Sequence, residues 1–292
     1  MSYEYIDFDE VKQARELPSP TGIALNIMRM CRNENVSLRD LARQIQADPA
    51  LAGRLIKLAN AERSPGLRPV VAISTEVLLL LGVHVVRQVA LGVSLINSYQ
   101  SGACHAFDFN GFWSRSLSMA CVAQAIGQQV MIAPPAELFT CGLLASIGQL
   151  GLAIVRPKAY AEILTAQRAA PFASLRRSER QRFGCDQIDL SIAMLRDWNI
   201  PGLFVDAVSF HREPALSGWE EDNRRQRLAR ILYVAAQAAA IDLTSAYAQE
   251  ALIPALSESF ALLGLNDEQA IKIIEQASQD VIEWRQLLHF SA

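Results

Sequence analysis

Four histidines and five cysteines are the residues of this chain best suited to hold a metal ion or act as a nucleophile, and their spacing argues against both. His84, His105, His211 and His289 lie far apart, and no two of them have ligand spacing. Cys31, Cys104, Cys121, Cys141 and Cys185 are odd in number and never form a C-x-x-C pair, so neither a zinc site nor a disulfide framework is indicated. Most stand among apolar residues of helical periodicity, where a thiol packs as a small hydrophobe, and a reducing cytoplasm suits them. The chain has no G-x-S-x-G elbow, no phosphate-binding glycine loop and no H-E-x-x-H. His211 reads as a polar residue at a helix end, with a place in a ligand pocket as its second reading. His84, between apolar residues, reads as packed or half-exposed, and Asn60 as a bond to backbone in the N-terminal half.

Charge gives no further lead. Lys and Arg number 27 against 30 Asp and Glu, a formal charge of −3 that offers nucleic acid or anionic lipid no overall attraction. The local clusters Arg176-Arg177 with Arg180 and Arg182, and Arg224-Arg225 with Arg227 and Arg230, read as solvated helix faces.

The elements that must position any site are helices. Ser37 with Asp40 is close to a capping box, and Asp48-Pro49 restarts the chain with a capping acid and a proline at the first helical position. Ser74 caps a short apolar helix that Gly82 ends, and the next helix runs from Val83 to Tyr99. Gly66 to Pro69 reads as a turn. Asp108 opens a long helix through Trp113, Leu117, Ala120 and Ile126. Pro134-Pro135 breaks it and starts a central apolar one, expected to be continuous from Ala136 to Val155. Pro157, Ala170-Pro171, Asp186 and Pro201 punctuate four more helices. Arg224 to Ile241 is helical, and Asn266 with Gln269 caps a last helix ending at Leu288.

Leu138 to Val155 runs 18 residues without a charge, the length of a membrane span. Ser146 and Gln149 lie at its middle, however, and no second span accompanies it, so a buried core helix is the expectation. The first residues carry acids and no apolar core, unlike a signal peptide. The reading is all-α and two-lobed: a tail over 1–16, an N-terminal helical lobe over 17–100, and a second lobe over 107–288.

Several strings, in order, carry a family resemblance. Leu17-Pro18-Ser19-Pro20 opens it. Asp48-Pro49-Ala50-Leu51 follows, then Leu55 and Leu58-Ala59-Asn60. Ile73, Leu80-Leu81-Gly82 and Arg87 come next, and Phe183-Gly184, Trp198-Asn199-Ile200-Pro201 and His211-Arg212-Glu213-Pro214 close it. Together they resemble the HDOD family of bacterial signalling proteins over nearly the whole chain after residue 17. That resemblance implies a C-terminal lobe related to HD-domain metal phosphohydrolases. There a His, an adjacent His-Asp pair and a later Asp hold a divalent ion that polarises phosphate and activates water.

At the matched positions this chain departs from that set. The pair falls on Ala145 and Ser146 inside Leu143-Leu144-Ala145-Ser146-Ile147-Gly148, the earlier His on Arg115, the later Asp on Ala236, and the His after Phe-Gly on Gln187. Alanine has no donor atom, and arginine stays cationic and repels a metal. The expected vestigial pocket therefore comprises Arg115, Ala145, Ser146, Gln149, Gln187, His211, Arg212 and Ala236, with no metal, no cofactor and no hydrolase activity. The implied function is a non-catalytic cytoplasmic signalling or scaffolding module that binds another protein, without nucleic acid or membrane. The alternative is a sensor of a small anion or nucleotide, in which Arg115, helped by His211 and Arg212, replaces the metal's charge. Asp186 and Glu213 are the candidate acids for pairing Arg115.

Overall fold

The computed structural model describes residues 4–14, 16–20, 22–31, 36–61, 69–167, 172–198, 200–241, 243, 254 and 256–288. The expected turn at Gly66 to Pro69, the Ala170-Pro171 break and His289 fall wholly or mostly outside them. Among the described residues the regular structure is helical throughout, with no strand.

In chain order the helices are α1 (Phe8–Gln13), α2 (Gly22–Met30), α3 (Leu38–Gln46), α4 (Pro49–Ala61), α5 (Thr75–Leu81), α6 (Val83–Ser98), α7 (Phe109–Val130) and α8 (Pro135–Leu144). They continue with α9 (Ile147–Val155), α10 (Pro157–Ala166), α11 (Phe172–Phe183), α12 (Gln187–Asp197), α13 (Gly202–Phe210), α14 (Arg224–Ala238) and α15 (Asp267–Leu288). Their ends are set by local chemistry. Ser37 Oγ accepts from Asp40 N at 3.3 Å, Asp48 Oδ1 from Leu51 N at 3.1 Å and Asp108 Oδ1 from Gly111 N at 2.9 Å. Each bond satisfies one of the orphan N–H groups of a first turn. Asn266 and Gln269 bond reciprocally at 2.9 and 3.0 Å, as a capping box should.

The chain separates into two units. One holds residues 19–99 with the C-terminal stretch from Glu283; the other holds the first 18 residues with Gln100–Ile282. In the first, α2 to α6 bury Ile27, Leu41, Ile45, Leu55, Leu78 and Val89 completely. Asn60 brackets one peptide unit there: its Nδ2 donates to Val70 O at 3.0 Å and its Oδ1 accepts from Val70 N at 2.7 Å.

In the second unit α7 packs against α8 and α14, α9 against α10 and α12, and α13 against α12 and α14. Trp113, Phe139, Tyr160 and Phe183 are fully buried in it. The N-terminal residues do not hang free as a tail. Glu4 N and Ile6 N donate to Arg182 O and Phe183 O, both at 2.9 Å, and α1 follows with Val11 buried.

The apolar run is a core element, as expected: over Pro135–Val155, 83% of its most apolar window is buried. It is not one continuous helix, however. The chain turns at Ala145–Ser146, so α8 ends and α9 begins there. The two polar residues of the run, Ser146 and Gln149, sit at and just after this break.

Candidate functional site

The break opens beside a cavity of about 90 Å³. α7 supplies Phe112, Arg115, Ser116 and Met119 to its wall, α9 and its cap supply Ser146 and Gln149, and Arg212 and Ala236 complete it with Ala239 and Ala240. Five of the eight sequence-derived positions thus converge on one small space: Arg115, Ser146, Gln149, Arg212 and Ala236. Ala145 is fully buried but does not line it.

Gln187 stands one layer behind. Its Oε1 accepts a hydrogen bond from Gln149 Nε2, and its own Nε2 donates to Glu179 Oε1 at 3.0 Å. Glu179 Oε2 accepts from Gln187 N at 2.9 Å, and Tyr160 Oη donates to Oε1 at 3.2 Å. Glu179 is fully buried. Burial pushes its carboxyl up to about 7, aided by the nearby Asp186 charge and opposed by the Gln187 and Tyr160 donors. This buried acid was not foreseen, because the string Arg176-Arg177-Ser178-Glu179-Arg180 reads as a polar surface. Only the tertiary contact with Tyr160 and α12 shows which face of α11 turns inward.

The α11 arginines are correspondingly less free than a solvated face would leave them. Arg176 Nε and Arg180 Nε both lie 2.8 Å from Asp186 Oδ2, Arg176 Nη1 lies 3.6 Å from Glu213, and Arg182 is buried between Glu4 and Glu162. Asp186 also caps α12 through Ile188 N and Asp189 N. These pairings correct the expectation for Arg115. Asp186 and Glu213 serve Arg176 and Arg180, while Arg115 is exposed and forms no ion pair with a described residue.

His211 likewise departs from its proposed role as a source of positive charge. It is fully buried at the end of α13, its Nδ1 donates to Val208 O at 2.6 Å, and its Nε2 has no partner among the described residues. Burial, with the neighbouring Arg212 charge, lowers it to about 3, so the ring is neutral at ordinary pH. It also lies outside the cavity lining. His84 is exposed rather than packed, and so is His105.

A divalent ion does not fit this cavity. Among the described residues its walls offer two guanidinium groups, two hydroxyls and an amide, with no carboxylate and no imidazole. Hard and borderline cations require anionic oxygen or imidazole ligands to offset their desolvation. Among the described residues no three His, Cys, Asp or Glu side chains converge anywhere else. Nor does the volume suit an enclosed nucleotide, since pockets for ligands of that size run from roughly 300 Å³ upward.

Gly148 explains how α9 approaches α12 so closely. Its N–H donates to Ser191 Oγ at 2.8 Å, and a Cβ there would meet the Gln187 carbonyl oxygen and lie 2.7 Å from Ser191 N. The close approach in turn brings Gln149 within reach of Gln187.

Comparison with known proteins agrees with this architecture. The HDOD domain model matches residues 17–214. The MmoQ response regulator of Methylococcus capsulatus str. Bath shares 36% identity, over 86% of this chain and 95% of that one, with a TM-score of 0.54. A Shewanella amazonensis SB2B protein provisionally named a phosphohydrolase is 21% identical over 95% of this chain and 97% of its own, with a TM-score of 0.73. An HDOD domain protein with unknown function from Geobacter sulfurreducens is 17% identical over 96% and 99%, with a TM-score of 0.68. The last two show the shared fold alone. No curated protein matches. With the family model covering well over half of the chain, this chain belongs to the HDOD domain family.

Proposed function

We propose that the chain is a bacterial signal-transduction module whose HD-type cavity does not hydrolyse phosphate esters, and which acts by binding another protein in the cytoplasm. The observation that supports the first part is the donor set of the cavity, where Arg115, Ser116, Ser146, Gln149 and Arg212 are the polar lining residues and offer neither the imidazole nor the carboxylate that a metal centre needs. A signalling role is supported by the family itself and by the likeness to a protein named as a response regulator. For the protein-binding part, α5 and the residues before it present Val71, Leu79 and Leu80 at 85%, 70% and 48% exposure. Large aliphatic side chains left this open favour association with an apolar partner surface.

Two measurements on the full chain test this. Elemental analysis after incubation with manganese, iron and zinc is expected to find far less than one ion per chain. Hydrolysis of model phosphodiesters should stay at background; about one tightly held ion per chain would contradict the reading. Capture from native lysate, followed by mass spectrometry, should return a partner that a folded Leu79→Asp, Leu80→Asp double variant loses. Equal capture by both forms would remove the α5 surface from the account.

A further inference from the structure

We infer that the cavity between α7, α9 and α14 is a binding site for one small tetrahedral oxyanion of the phosphate class, held between Arg115 and Arg212. The inference rests on the reading that no metal occupies this space. It adds a ligand of opposite charge.

Two guanidinium groups line the same cavity, and neither makes an ion pair or hydrogen bond with a described residue. Of the neighbouring acids, Asp186 is held by Arg176 and Arg180, Glu213 by Arg176, and Glu179 by Tyr160 and Gln187, while Asp108, whose Oδ1 accepts from Gly111 N, turns its Oδ2 toward Arg115 without forming an ion pair. Arg212 Nε is buried without a partner, and the charge rests over the Phe172 ring at 4.9 Å. Burial first, and then the like charge of Arg115, lower the Arg212 pKa. Two like charges facing one space, one of them largely removed from water, need a counter-charge between them. A planar fork of N–H donors matches phosphate and carboxylate oxygens bidentately, and a tetrahedral oxyanion can present a pair of oxygens to each of two forks.

The rest of the wall donates too. Ser146, the N-cap of α9, lines the cavity and makes no capping bond, so its hydroxyl is not spent on the first turn of the helix. Ser116 and Gln149 add a hydroxyl and an amide. The volume of about 90 Å³ equals roughly three waters at their share of liquid, which suits an inorganic ion or one terminal phosphoryl group.

The test uses the full chain dialysed free of phosphate and sulfate. Inorganic phosphate, followed by calorimetry, should bind saturably at one site per chain and raise the melting temperature as its concentration rises. Potassium chloride at equal ionic strength should not. Arg115→Ala removes an exposed group, so the fold should survive, and it should weaken phosphate binding about tenfold or more. Arg212→Met should do the same. Should that variant misfold, the Arg115→Ala result decides alone. Adenosine monophosphate separates the sources: tighter binding than free phosphate identifies an esterified phosphoryl group, and none identifies the free ion. A metal-free chain that ignores both phosphate and the nucleotide would overturn this inference and leave the non-catalytic reading standing. A chain that retains a metal at the site would overturn both. Asp242, two residues past Ala240 in sequence and outside the described residues, supplies a last control. If only Asp242→Asn binds phosphate, the counter-charge is the chain's own and the inference fails.

Discussion

Gly148→Ala is expected to destabilise the protein by about 3 kcal/mol, at the upper end of what overpacking a core usually costs. The added methyl would press on the Gln187 carbonyl oxygen and on Ser191, 2.7 Å from its N and 2.9 Å from its Oγ. Two of those three atoms belong to the backbone of α12, so no rotamer change relieves the contact. The helices must part, and the bond from Gly148 N to Ser191 Oγ and the link between Gln149 and Gln187 go with them. Urea unfolding should show a lower midpoint with the slope preserved. An unchanged midpoint would mean that α9 and α12 are not packed this closely in solution.

The second large effect is a pH dependence centred on Glu179. In the unfolded chain its carboxyl titrates near the ordinary 4.5, and in the folded one burial raises it to about 7. Below pH 4.5 both states hold the proton and the group's stabilising contribution is fully present. As pH rises, the unfolded chain releases that proton first, so stability falls until the folded carboxyl also ionises near 7, and then levels off. At about 1.36 kcal/mol for each pH unit of displacement, the loss across this window is roughly 3 kcal/mol. Glu179→Gln cannot titrate. Its unfolding free energy relative to the native chain should therefore rise by that order between about pH 5 and about pH 8. The absolute value will also reflect the Gln187 N–H that loses a carboxylate acceptor. A difference that stays flat over this range would show that Glu179 is hydrated or paired in the folded protein.

The two cases differ in how far the sequence announces them. Helix starts at Ser37, Asp48, Asp108 and Asn266 are written in residues that cap their own next turn, and they are found where the pattern places them. The convergence of Arg115, Ser146, Gln149, Arg212 and Ala236 was legible only through the family strings, because no periodicity relates residues more than a hundred positions apart. The break at Ala145–Ser146 was not. An 18-residue apolar run looks the same whether it forms one helix or two, and its polar members read more easily as exceptions than as a cap and a cavity wall. Glu179 was hidden for the opposite reason, since five of its neighbours from Arg176 to Arg182 are charged or hydroxylated and mask its inward face. The engagement of Asp186 by two arginines, which leaves Arg115 without it, is likewise a tertiary fact.

The backbone pairing of Glu4 and Ile6 with Arg182 and Phe183 ties residues outside the family match to residues inside it. The family match runs over residues 17–214, which omits both α1 and α14. Yet α14 packs on α7, α8 and α13 and buries Leu228, Ile231, Leu232 and Ala235, and the first residues close over the end of α11. A fragment cut at the limits of the match would bare an aliphatic seam along α7 and leave the Arg182 and Phe183 carbonyls to find water. The segment that the family model matches is thus shorter than the packed core around α7. Expression boundaries, fusion points and domain swaps for this chain should follow the latter.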